Sequence, residues 1–139
     1  MQTICYEPRT TILVADNDDD NRSLVRAVLA LKGFDVLEAM DGEEAYVLAV
    51  EERPALLLID LKLPLVSGIR VIRKLQEFGM KNMPIIATSL DRPTSHRQLA
   101  LAAGCVAHME KPYEPDQLDE LLDQFLPGTR ASLISVLVH

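Results

Sequence analysis

Four places in this chain set a residue able to do chemistry at or near the end of an apolar run. Asp16 and Asn17 follow Thr11-Ile12-Leu13-Val14-Ala15, and Asp60 follows Leu56-Leu57-Leu58-Ile59. Ser89 follows Pro84-Ile85-Ile86-Ala87-Thr88, and Lys111 comes shortly after Cys105-Val106-Ala107-His108-Met109. If the runs are parallel strands, these residues gather at one sheet edge, the carboxyl ends, where open α/β sheets bind ligands. That edge holds two carboxylates, an amide oxygen, a hydroxyl and an ammonium. Carboxylates so close repel, and a hard divalent cation such as Mg2+ is their natural partner, because it takes few protein oxygens and keeps water and phosphate oxygens as its other ligands. A lysine supplies a point charge for a phosphoryl oxygen. The set describes a phosphoryl-handling site with Asp60 placed to be the nucleophile. Each residue alone has a plainer reading: Asp60 as a strand-closing acid, Asp16 as a loop acid, and Thr88 in place of Ser89 if the register shifts by one.

The elements that must position these residues are legible in the pattern. Leu56 to Ile59 shows no polar alternation, so it predicts a strand buried on both faces, bracketed by Pro54 and Pro64. The polar cluster Asn17 to Asn21 reads as a loop whose last members cap a helix from about Arg22 to Lys32, ended by Gly33. Phe34 to Ala39 reads as a more exposed strand. Asp41 and Glu44 form a capping-box pattern for a helix reaching about Glu52. Ser67 caps a third helix to about Phe78, and Asp91 to Ala103 is a fourth. Cys105 to Met109 is the fifth strand. Pro115 to Phe125 is a last amphipathic helix with Leu118, Leu121, Leu122 and Phe125 on one face. Five strands alternating with five helices predict a single doubly wound α/β domain over residues 11–126. Residues 1–10 read as a loosely attached lead. Residues 127–139 form an apolar tail that docks on the domain, pairs with another chain, or does neither.

Of 139 residues, 48% are apolar and 25% charged, as in a soluble globular domain. The formal net charge of −7 argues against nucleic acid and against an anionic membrane surface as partners. Cys5 and Cys105 lie outside any metal-ligand spacing and read as reduced, consistent with a cytoplasmic location. The first residues do not resemble a signal peptide, and no apolar run approaches a membrane span.

Jointly, the motifs resemble the receiver domain of two-component response regulators, from about Thr11 to Leu126. The residues that carry the resemblance are the acid-bearing loop after Ile12-Leu13-Val14, Ile59-Asp60-Leu61-Lys62-Leu63-Pro64 with Gly68, the hydroxyl after Pro84-Ile85-Ile86-Ala87, Ala103-Gly104, and Lys111-Pro112. The resemblance implies a flavodoxin-like, five-stranded parallel sheet of order 2-1-3-4-5 with five helices. It implies that Asp60 is the phosphoacceptor, that Mg2+ is held by Asp16, Asp60, the residue at Asn17 and the backbone carbonyl of Lys62, and that Ser89 and Lys111 bind the phosphoryl group. The donor is then a histidine kinase or a phosphotransfer protein. Such a chain is a switch rather than an enzyme. Phosphorylation draws Ser89 inward and repacks the surface of the fourth helix, fifth strand and fifth helix, through which a downstream protein or a second copy is engaged.

Three departures from the family pattern stand out. Asn17 replaces a second acid; one charge a few Å from the ion is worth up to about 4 kcal/mol before desolvation, so weaker Mg2+ binding is expected unless Asp18 compensates. His108 stands where the family usually has an aromatic switch residue. Ser67 stands where an acid often precedes Gly68, and reads as a helix cap. His96 reads as solvated. Two rival readings remain. One is a receiver-like binding module that works without phosphorylation, its metal site weakened by Asn17. The other is a haloacid-dehalogenase-type phosphatase using Asp16-Asn17-Asp18, although that family needs a further acid pair on a later strand and here Lys111 is followed by Pro112 and the last helix.

Overall fold

The computed structural model describes residues 10–90 and 94–126. Its elements are β1 (Thr11–Ala15), α1 (Asp19–Leu31), β2 (Asp35–Ala39), α2 (Gly42–Glu52), β3 (Leu56–Asp60), α3 (Gly68–Glu77), β4 (Ile85–Ser89), α4 (Thr94–Ala103), β5 (Ala107–Glu110) and α5 (Pro115–Phe125). All strand pairs are parallel, in the order β2-β1-β3-β4-β5. This is the flavodoxin-like order the sequence implied. Every residue of β3 is buried, as its unbroken apolar run requires of a strand covered on both faces.

Strand alternation sorts the core into two layers. Leu13, Leu57, Ile59, Ile85 and Ala87 pack with Ala45 and Ala49 of α2, Val71, Ile72 and Leu75 of α3, and Ala100 of α4. Ile12, Val14, Leu56, Leu58 and Ile86 pack with Val25 and Leu29 of α1 and Leu118 and Leu122 of α5. Each fully buried aliphatic side chain contributes about 1.5–3 kcal/mol to holding the layers on the sheet. Lys32 and Asp119, 2.7 Å apart, tie α1 to α5. The register levels the carboxyl ends: Ala15 lies beside Ile59, Asp60 beside Thr88, and Ser89 beside Glu110.

The boundaries differ from the sequence expectation in instructive ways. Helix α1 begins at Asp19 rather than Arg22, because the Asp18 carboxylate accepts the N–H groups of Asp20 and Asn21. Asp19 and Asp20 suit the positive end of a helix but carry no apolar period by which a reader would find them. Strand β5 begins at Ala107 rather than Cys105, whose N–H still bonds the Ala100 carbonyl of α4's last turn. The Thr10 carbonyl accepts from Asp35 N–H, so the last residue of the expected lead joins the sheet. Gly33 and Gly79 terminate α1 and α3 with φ of 94° and 95°, where a side chain would be strained. The remaining lead, the expected start of α4 at Asp91, and the apolar tail lie outside the described residues, as does Cys5. Cys105 is buried, and burial pushes its thiol up to about 12. Among the described residues, no helix is long and apolar enough to cross a membrane.

Candidate functional site

Asp16 extends from β1 and is 4% exposed. Its N–H donates to the Ala39 carbonyl, and the Arg22 guanidinium donates to its own carbonyl at 2.7 Å, so its backbone is held from two sides. One carboxylate oxygen accepts Asp18 N–H at 2.9 Å; the other accepts the Asn21 side-chain amide and Lys111 Nζ, the latter at 2.7 Å. Asp60 closes β3. Its Oδ2 accepts from Lys111 Nζ at 2.8 Å and its Oδ1 from Lys62 N–H at 2.9 Å. Lys111 thus bridges two acids from different strands, and its own N–H is fixed on the Ser89 carbonyl at 2.8 Å. Burial works against the Lys111 ammonium, but its hydrogen bonds to Asp16 and Asp60 outweigh that cost and raise its pKa above the ordinary value. Counted formally, two acids against one base leave one negative charge in the cleft.

The loop from Leu61 to Ser67 is clamped by the starts of two helices. Gly68 N–H donates to the Leu61 carbonyl, and a Cβ at Gly68 would stand 2.4 Å from the Asp60 carbonyl oxygen. Gly42 N–H donates to the Pro64 carbonyl, and a Cβ there would stand 1.8 Å from the Val66 carbonyl oxygen. No side chain fits at either contact, which is why the chain has glycine at both positions. Ser67 accepts from Arg70 N–H, as expected of a cap.

These elements enclose an open cavity of about 850 Å³ into which Asp16, Asn17, Asp60, Lys62, Ser89 and Lys111 all project or border. The structure therefore brings together every residue the sequence assigned to phosphoryl or metal chemistry. Neighbouring strand residues face opposite sides, and it is Ser89 rather than Thr88 that reaches this cavity. His108 stands behind it, its Nε2 2.8 Å from Ser89 Oγ. Asp18 borders the cavity, and its Oδ1 caps α1 by accepting from the N–H groups of Asp20 and Asn21. His96, expected to be solvated, is instead partly buried at the cavity wall.

Two residues in the first turn of α1 were missed from sequence. Asn21 bonds the Asp16 carboxylate, but it reads as one more polar loop residue. Arg22 is 8% exposed and joins Asp16, Asp19 and Glu38. A signal existed: Arg22, Val25 and Leu29 follow the helical spacing of one buried face.

The donor set bears on the metal question. Asp16, Asp60, the Asn17 amide and the Lys62 carbonyl offer only oxygen, and no cluster of three or more His, Cys, Asp or Glu suited to a metal occurs among the described residues. Few charged oxygens, with room for water, suit Mg2+ rather than a softer ion.

A sequence model described as the response regulator receiver domain matches residues 12–123. The transcriptional regulatory protein SrrA of Staphylococcus aureus is 32% identical over 123 residues, which cover 88% of this chain and 50% of SrrA. The chain thus spans about half the length of this curated relative. The receiver domain of the sensor histidine kinase PA1611 from Pseudomonas aeruginosa PAO1, with a magnesium ion coordinated in its active site cleft, is 25% identical, with a TM-score of 0.78 over 85% of this chain and 98% of that one. The receiver domain of Ssk1 from Saccharomyces cerevisiae, seen with the histidine phosphotransfer protein Ypd1, shares the fold at 22% identity and a TM-score of 0.78, covering 85% of this chain and 89% of that one.

Proposed function

The chain belongs to the response regulator receiver domain family of two-component signalling, and on that premise we propose that Asp60 accepts a phosphoryl group from a phosphohistidine and that the chain acts as the resulting switch. The observation that carries this reading is Lys111, whose ammonium holds Asp16 and Asp60 together at 2.7 and 2.8 Å inside an open cleft. In transfer, an Asp60 carboxylate oxygen attacks phosphorus, the phosphorus–nitrogen bond breaks, and the donor imidazole leaves with a proton. Lys111 turns its ammonium from the Asp60 carboxylate to a phosphoryl oxygen, and the Ser89 hydroxyl donates to another. Asp16, Asp60, the Asn17 amide and the Lys62 carbonyl are the oxygens that would hold Mg2+, whose charge, when it is bound, offsets that of the phosphoryl oxygens. The magnesium seen in the PA1611 receiver supports this set by analogy.

The donor in this reading is a histidine kinase or a phosphotransfer protein, for which the Ssk1–Ypd1 complex is a precedent of the fold. The output surface is formed by α4, β5 and α5, where Leu99, Leu101 and Val106 are exposed, and its occupant is a downstream protein or a second copy. One observation favours a second reading, a receiver that signals without phosphorylation: Asn17 lacks the charge that the family usually has there. The two are separated by incubating the protein with Mg2+ and a small phosphodonor and measuring intact mass. Gain of one phosphoryl group in wild type and none in Asp60→Asn is expected. No gain in wild type favours the second reading.

A further inference from the structure

Ser89 is the hydroxyl assigned above to a phosphoryl oxygen, and its Oγ lies 2.8 Å from His108 Nε2. The strand register explains the contact. His108 pairs with Ala87, and Ser89, two residues on, faces the same side of the sheet as His108. A hydroxyl has one hydrogen to give. If His108 Nε2 carries no proton, it takes the Ser89 hydrogen, which then points away from the acid cleft. If Nε2 carries a proton, it donates to Ser89 Oγ, and the hydroxyl hydrogen can be given to another acceptor, such as a phosphoryl oxygen on Asp60. An imidazolium always has a proton on Nε2; a neutral ring has one only in one of its two tautomers. Phenylalanine or tyrosine at position 108 could not impose this choice.

We propose that His108 is a positioning residue for Ser89, so that a proton on its Nε2 aims the Ser89 hydroxyl at a phosphoryl group on Asp60 and makes phosphoryl retention pH-dependent. The proposal rests on the phosphoacceptor reading of Asp60 and adds to it a proton taken up from solvent by the phosphorylated state. Among the described residues, the groups around the ring are Arg97 and His96 from α4, Ser89 from β4, and Glu110 on its own strand. In the unphosphorylated protein, burial first, then Arg97 and His96, hold the ring below its ordinary pKa against the opposing Glu110. A phosphoryl dianion that demands a donor from Ser89 works in the opposite direction.

The test uses the full chain, phosphorylated with acetyl phosphate and Mg2+, then freed of donor. Loss of the phosphoryl group is followed by intact mass between about pH 5.5 and about pH 8, the range in which histidine titrates. His108→Gln keeps an amide able to donate to Ser89 but cannot titrate; His108→Phe removes the bond. Wild-type retention should increase about threefold or more toward the acid end, the change that half a unit of proton linkage gives. Both variants should still be labelled on Asp60 but with retention less dependent on pH, and His108→Gln should match acid-side wild type more closely than His108→Phe. In parallel, the imidazole 15N shifts of His108 should titrate at higher pH with beryllium fluoride and Mg2+ than without. Labelled variants with the wild-type pH profile, or a His108 titration indifferent to beryllium fluoride, overturn this proposal alone. Absence of labelling in wild type overturns the phosphoacceptor reading and this proposal together.

Discussion

At the scale of single residues, Asn17 is the most informative departure. Asn17→Asp should tighten Mg2+, because it adds an anion to a cleft that already holds Asp16 and Asp60 with one lysine between them. The same change should destabilise the metal-free protein by crowding three acids at one sheet edge. Its melting temperature should therefore rise more steeply with Mg2+ than that of wild type, since only the folded state binds the ion. Calorimetric titration with thermal melts checks both; unchanged Mg2+ affinity would show that Asn17 is not a ligand. Lys111→Ala should keep the fold but slow labelling of Asp60 by two orders of magnitude or so, the usual effect of removing a group that faces charge developing in the transition state. His108 gives a sign that can be worked out. Its pKa is depressed in the folded protein, so its contribution to stability is complete above about pH 6.5 and is lost as pH falls through the folded value, because the unfolded ring takes up its proton first. Urea melts across that window should show a steeper acid-side loss for wild type than for His108→Gln. Position and residue type were enough to find Asp16, Asp60, Ser89 and Lys111. They were not used for Arg22, whose charge suggests solvent although it shares a buried helical face with Val25 and Leu29, nor for His96, whose polar type suggests solvent although it is partly buried at the cavity wall.

At the scale of elements, the acid cleft depends on how helices meet loops. Gly42→Ala and Gly68→Ala each force a methyl group against backbone, at 1.8 Å from the Val66 oxygen and 2.4 Å from the Asp60 oxygen. Each should cost about 1–3 kcal/mol or more by overpacking, read as a lowered midpoint in denaturant unfolding. Gly68→Ala should also disturb Asp60, since the contact is with its carbonyl. Unfolding midpoints unchanged from wild type would contradict the clamped-loop geometry. Strands β1, β3 and β4 were readable because burial on both faces removes alternation. The first turn of α1 was not, because its stabilisation comes from the Asp18 cap and the helix dipole rather than from apolar spacing. The clamp between Gly42 and the loop at Pro64 to Val66 was likewise invisible, because it joins residues more than twenty positions apart.

At the scale of the molecule, a two-layered core around β3 holds four strand ends level, and the chemistry follows from that levelling. Removing a central side chain should be felt throughout: Leu57→Ala should destabilise the fold by about 2–5 kcal/mol, measured by chemical denaturation, without altering any group in the cleft. The central claim, that this scaffold exists to place Asp60 as a phosphoacceptor, is tested most directly by locating the phosphoryl group. The protein is treated with acetyl phosphate and Mg2+, then with borohydride, which reduces an aspartyl phosphate to homoserine, and its peptides are sequenced by mass spectrometry. The account predicts homoserine at position 60 and at no other acid. Homoserine at position 16 or 18, or an unmodified residue 60 in protein that has gained a phosphoryl group, would contradict it.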